Sequence, residues 1–80
     1  QEKDGEYSGN VTYRVQTGAF LEPQNAEVLL SQLQQQGFLA YIVLEDGLYK
    51  VMAGEFAMLD NAVKLENVLR RFGYNTFVTN

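Results

Sequence analysis

The 80-residue chain contains neither cysteine nor histidine. Without cysteine there is no disulfide, no thiolate metal site and no thiol nucleophile. Without histidine the commonest general base and metal ligand is missing too. A lack of cysteine suits a secreted protein but does not establish one. No apolar run approaches the roughly 20 residues that span a bilayer, and no signal-peptide pattern precedes the first regular segment. The start at Gln1 rather than methionine suggests a fragment or processed chain, whose parent carries the address and the catalysis.

What is present reads as one small globular domain. A hydrophobic content of 46% and an aromatic content of 12% are too high for disorder. Eighty residues lie near the lower limit at which a single core suffices. The net charge is −4, and residues 1–10, with Glu2, Asp4 and Glu6 against Lys3, supply −2 of it. Polyanions, nucleic acid included, are therefore disfavoured partners at the level of net charge. The carboxylates form no convincing catalytic pair. Glu45 and Asp46 sit in a turn, while Glu22, Glu27, Asp60 and Glu66 belong to helix starts and solvent faces. Glycoside hydrolysis would need two carboxylates flanking a cleft. The expectation is a noncatalytic domain with no cofactor and no metal.

The chain also repeats itself. Shifted by 36 positions, Tyr13-Arg14-Val15-Gln16-Thr17-Gly18-Ala19-Phe20 falls on Tyr49-Lys50-Val51-Met52-Ala53-Gly54-Glu55-Phe56. Asn25-Ala26 falls on Asn61-Ala62, Leu29 on Leu65, Leu33 on Leu69, and Gly37-Phe38 on Gly73-Tyr74. Two strand–helix–strand units in so short a chain predict one pseudo-symmetric domain, with half-repeats over about 13–44 and 49–80.

Residues 1–10 are polar and aperiodic and read as linker, leaving 11–80 as the domain. Alternation from Val11 to Phe20 predicts a strand, with Tyr13, Val15, Thr17 and Ala19 on one side and Arg14, Gln16 and Gly18 on the other. Glu22-Pro23 opens a helix striped by Ala26, Leu29, Leu30 and Leu33 and stopped by Gly37. Leu39–Glu45 is the next strand, Asp46-Gly47 its hairpin turn and Leu48–Phe56 the third strand. A second helix runs from about Leu59 to Phe72, with Asp60 a candidate near its start and Gly73 after it. Asn75–Thr79 closes the chain as a strand. The order is βαββαβ, an α+β, ferredoxin-like fold. Right-handed crossovers place both helices on one face of a four-stranded antiparallel sheet of order 4-1-3-2.

The other face stays open. If Val15 and Val51 face the helices, Arg14, Gln16, Leu48, Lys50 and Met52 face outward. In the edge strands Ala40, Ile42 and Val78 point inward, leaving Tyr41, Val43, Phe77 and Thr79 outside. The result is a binding platform about 14 Å between its outer strand axes. Tyr41 and Phe77 are repeat partners, as are Arg14 and Lys50. Gln16 is a central amide able to donate and accept, as recognition of hydroxyl and acetamido groups requires. Its partner in the repeat is Met52, so the fold itself does not demand glutamine there.

Tyr13-Arg14-Val15-Gln16-Thr17-Gly18-Ala19-Phe20, together with Asp46-Gly47-Leu48-Tyr49-Lys50-Val51 and the second Gly-x-Phe and Asn-Ala, resembles the SPOR domain. That is the sporulation-related repeat of bacterial cell-envelope proteins, and the likeness covers about residues 11–80. It implies binding of peptidoglycan, with a preference for glycan strands stripped of stem peptides by amidases. It also implies use of the open sheet face, including the strand-one glutamine, Gln16, and by position the aromatics Tyr41 and Phe77. Two positions depart from the family pattern: Met52 stands where a glutamine is often found, and Glu55 where a small residue or proline is usual. Some members carry a tryptophan on this face, and this chain has none. The resemblance thus implies a monomeric targeting module that does not insert into the membrane. It would belong to a larger envelope protein, such as an amidase, spore-wall hydrolase or division protein, located in the periplasm or the cell wall, spore wall included. Arg14 or Lys50 is then a candidate partner for the lactyl carboxylate exposed when a stem peptide is removed, with Leu48, Met52 and Thr79 completing the surface.

Other functions share the topology. RNA-recognition motifs stack bases on sheet aromatics, but the third strand here lacks their basic aromatic consensus. Acylphosphatases carry an arginine after the phenylalanine of their phosphate loop, where this chain has Leu21 after Phe20. A ferredoxin-like protein-interaction or regulatory module is the remaining alternative.

Overall fold

The computed structural model describes residues 11–80; the linker expected over residues 1–10 lies outside them. Six elements follow in the expected order: β1 (Tyr13–Phe20), α1 (Pro23–Gln35), β2 (Ala40–Glu45), β3 (Leu48–Phe56), α2 (Leu59–Arg71) and β4 (Phe77–Thr79). β2 starts one residue later than its alternation suggests, and β4 keeps only the last three residues of its expected span. Asp46 and Gly47, with φ of 55° and 77°, make the tight β2–β3 turn, in the left-handed pair of conformations that matches strand twist.

Pro23 occupies the first turn of α1, where its missing N–H is no loss. Neither Glu22 nor Met58, the two N-cap residues, caps with its side chain. Asp60 is thus no cap; it sits inside the first turn of α2, where its charge favours the helix dipole. Both helices stop alike. The Phe38 N–H donates to the Leu33 carbonyl and the Gly37 N–H to that of Gln34, at 3.0 Å each. Thirty-six residues on, Tyr74 donates to Leu69 at 3.1 Å and Gly73 to Arg70 at 3.0 Å. This paired bonding satisfies carbonyls that a helix end leaves orphaned.

The sheet order is β2-β3-β1-β4, all neighbours antiparallel. α1 packs on β1, β2 and β3, and α2 on β1, β3 and β4. Between helices and sheet lie Val15, Ala26, Leu33, Ala40, Val51, Ala53, Ala62 and Leu69, all buried. Fully burying a leucine stabilises by about 1.5–3 kcal/mol, and Leu33 and Leu69 are fully buried. The helix ends meet at Phe38 and Phe72, edge to face at 5.1 Å. Beside them the Tyr74 hydroxyl donates to Gln36 Oε1 at 2.5 Å.

Simple alternation fails along β1. Gln16 pairs with Met52 but Gly18 with Val51, so β1 carries one extra residue at Thr17. Beyond that bulge the sides exchange: Gly18 and Phe20 face the helices and Ala19 faces out, the reverse of the alternation expected for Gly18 and Ala19. Burial explains it, since Val15 and Phe20 both pack on the core although five residues apart. Thr17 is 8% exposed and its hydroxyl donates to the Val51 carbonyl at 3.0 Å. β3 answers with a second irregularity between Ala53 and Phe56. There Gly54 takes φ 70°, and Phe56 returns to the core side.

Candidate functional site

The face opposite the helices carries one continuous row of paired residues. Tyr41 on β2 pairs with Met52 on β3, Met52 with Gln16 on β1, and Gln16 with Phe77 on β4. All four strands contribute one residue each. Antiparallel partners directly opposite stand within side-chain contact range, so the row presents aromatic, thioether, amide and aromatic groups in sequence. Phe77, 61% exposed, projects from the edge, whereas Met52 is only 4% exposed and serves as the floor between Tyr41 and Gln16. A shallow depression of about 150 Å³ opens beside the row, lined by Gln16, Thr17, Gly18, Asn75, Thr76 and Phe77.

Charged residues flank the row on both sides. Arg14, paired with Thr79 across β1 and β4, has its Nε 3.9 Å from Glu55 Oε2. Tyr41 lies next to the same carboxylate: burial first, and then Glu55, hold its phenol above the ordinary tyrosine value, while Arg14 pulls the other way. Among the described residues the Tyr41 hydroxyl nevertheless makes no hydrogen bond of standard geometry. On the other side Lys50, between Val43 and Ala19, binds Glu45 at 2.9 Å. That bond lowers the Glu45 carboxyl and raises the Lys50 ammonium. Leu48 closes the hairpin end opposite Glu45.

Gln16, Met52, Tyr41 and Phe77 thus meet in one row, with Arg14 and Thr79 at one flank and Lys50 and Leu48 at the other. Both cations have a carboxylate neighbour. Four further residues border the surface and were not expected from the sequence: Glu55, Glu45, Asn75 and Thr76. Glu55 had left a signal, as the acidic residue at a family position usually small or proline. Asn75 and Thr76 had none, because they precede β4 and enter the depression through the chain's approach to it. No group of three or more acidic residues among the described residues is placed to hold a metal ion.

A family model for the SPOR domain matches residues 9–80. The chain belongs to the SPOR family. Among solved structures, this SPOR domain is similar to the peptidoglycan binding domain of the Bacillus subtilis cell wall lytic enzyme CwlC. The identity is 37%, over 99% of this chain and 96% of that one, with a TM-score of 0.81. It shares its fold with the SPOR domain of RlpA from Pseudomonas aeruginosa, at 20% identity and TM-score 0.64, over 85% of this chain and 97% of the other. No curated protein matches this SPOR domain.

Proposed function

We propose that this SPOR domain binds the glycan strands of peptidoglycan on its open sheet face, without catalysis, and favours strands that have lost their stem peptides. The observation that carries the reading is the row Tyr41–Met52–Gln16–Phe77 on a sheet face that neither helix covers. Sugar rings present apolar C–H faces that lie well on aromatic side chains, and their rim groups need donors and acceptors. Tyr41 and Phe77 supply the first and Gln16 the second. Similarity to the CwlC domain, which binds peptidoglycan, supports the same ligand class.

Loss of a stem peptide leaves a lactyl carboxylate on muramic acid. Arg14 and Lys50 flank the row, and pairing one of them with that carboxylate gives stripped strands their advantage. A shallow surface with few anchors binds weakly per module, in about the micromolar range. The domain acts as a monomer in the cell envelope, bringing a larger protein to sites of wall remodelling. The deciding experiment is co-sedimentation with purified sacculi, untreated and amidase-digested, for wild type and Gln16→Ala/Phe77→Ala. Pull-down that rises on digestion and falls in the still-folded variant supports the proposal. No pull-down with either wall overturns it, and edge-strand dimerisation would then favour a protein-interaction module.

A further inference from the structure

The sheet face brings its own anions to its cations, and it does so differently in the two halves. Arg14 and Glu55 face each other from β1 and β3; the corresponding pair in the other half is Ala19 and Lys50. With alanine opposite, Lys50 turns to Glu45. Arg14 instead meets an acid supplied by the strand across from it. That acid faces outward only because β3 is irregular between Ala53 and Phe56; strict alternation from Met52 would turn residue 55 toward the helices.

Three groups converge there, none of them in a hydrogen bond of standard geometry with another. Among the described residues, Arg14 Nε and the Tyr41 hydroxyl are both shut off from water, and neither makes a hydrogen bond of standard geometry, although Glu55 lies beside both. At 3.9 Å, Arg14 and Glu55 attract each other as charges but are too far apart for a hydrogen bond. The Glu55 side chain is 53% exposed and thus has room to rotate outward. A carboxylate seated closer than Glu55 would satisfy both donors, since it accepts from a guanidinium and a phenol alike.

We propose that Glu55 sets ligand specificity, occupying the Arg14 guanidinium in the unbound domain so that a ligand carboxylate reaches Arg14 and Tyr41 only by displacing it. The inference rests on the glycan reading and refines it. An ion pair this exposed is weak, so a ligand that also gains contacts along the Tyr41–Phe77 row displaces Glu55 readily. A polyanion that binds by charge alone has no such gain and meets a neutral surface. The domain therefore discriminates by requiring carboxylate and sugar face together.

The test uses Glu55→Gln, which removes the charge and keeps the shape. Affinities for amidase-digested sacculi and for inorganic polyphosphate are measured from low to high salt. Glu55→Gln is expected to bind digested sacculi about two- to fivefold tighter, with a steeper fall in salt than wild type, and to retain polyphosphate that wild type ignores. Arg14→Gln/Glu55→Gln should lose both gains. The Tyr41 phenol, followed by its ultraviolet absorbance, should titrate nearer its ordinary value in folded Glu55→Gln. Equal affinities and equal salt slopes in wild type and Glu55→Gln overturn the proposal. Wild type that ignores sacculi while Glu55→Gln gains polyphosphate removes the glycan reading and leaves the shielding of Arg14 standing.

Discussion

Alanine placed at three glycines separates backbone strain from steric clash, and the structure predicts that the two add. Gly37 has φ +93° with nothing within 4 Å of where a Cβ would sit. Alanine there meets strain alone, about 1–2 kcal/mol. Gly18 has no positive φ, but a Cβ would lie 2.8 Å from Leu29 Cδ2 and 2.9 Å from Phe20 Cε2. Those are side-chain tips that can shift, so overpacking costs about 1–3 kcal/mol. Gly54 combines φ +70° with contacts of 2.6 Å to Phe56 Cε2 and 2.9 Å to Leu65 Cδ2. Its replacement should cost about 2–5 kcal/mol, the sum of the other two. A domain this small has about 4–12 kcal/mol in total, so Gly54→Ala should come close to unfolding it. The assay is urea unfolding followed by circular dichroism. With a slope of about 1 kcal/mol per molar urea, the midpoint should drop about 1–2 M for Gly37→Ala and by roughly the combined amount for Gly54→Ala. A Gly54→Ala variant no weaker than Gly37→Ala would refute the reasoning, because Phe56 and Leu65 would then be yielding at no cost.

Two further substitutions probe the bulge and the hairpin. Thr17→Val keeps the shape but removes the buried hydrogen bond to the Val51 carbonyl, and should cost about 1–2 kcal/mol in the same assay; Thr17→Ser should recover most of it. The Glu45–Lys50 bond acts through pH. Glu45 titrates below its ordinary 4.5 in the fold, so its contribution is present above that value and disappears as acid protonates the folded carboxyl. Lys50 titrates above its ordinary 10.5, so its contribution is present below that value and disappears as pH rises through the folded value. In Lys50→Met the Glu45 carboxyl, followed by NMR, should move back up toward its ordinary value; no movement would mean that the bond at 2.9 Å is not populated in solution.

Most of the architecture was open to reading in the chain. Pro23, the Asp46-Gly47 turn, and Gly37 and Gly73 mark where elements begin and end, because each acts on its own few residues of backbone. The leucine stripes act over a single helix and were equally plain. Strict period-2 alternation along β1 hides its bulge. A signal was present: Val15 and Phe20, like Val51 and Phe56, are large apolar residues an odd number of places apart in one strand. They can share a face only if the strand carries an extra residue. At the start of α2, Asp60 has the chemistry of a cap, yet Met58 holds the position.

The sequence by itself determined the family, the order of elements, the sheet order and the outward side of Gln16, Tyr41, Lys50, Met52 and Phe77. These follow from local periodicity, turn chemistry and the handedness of crossovers, which a single chain carries along its length. Only the tertiary structure decided that Tyr41, Met52, Gln16 and Phe77 form one row, that Met52 is its floor, and that Glu55 stands outward against Arg14. Each depends on the register between strands far apart in sequence. That register was settled where Phe20 and Phe56 had to reach the core beneath the helices.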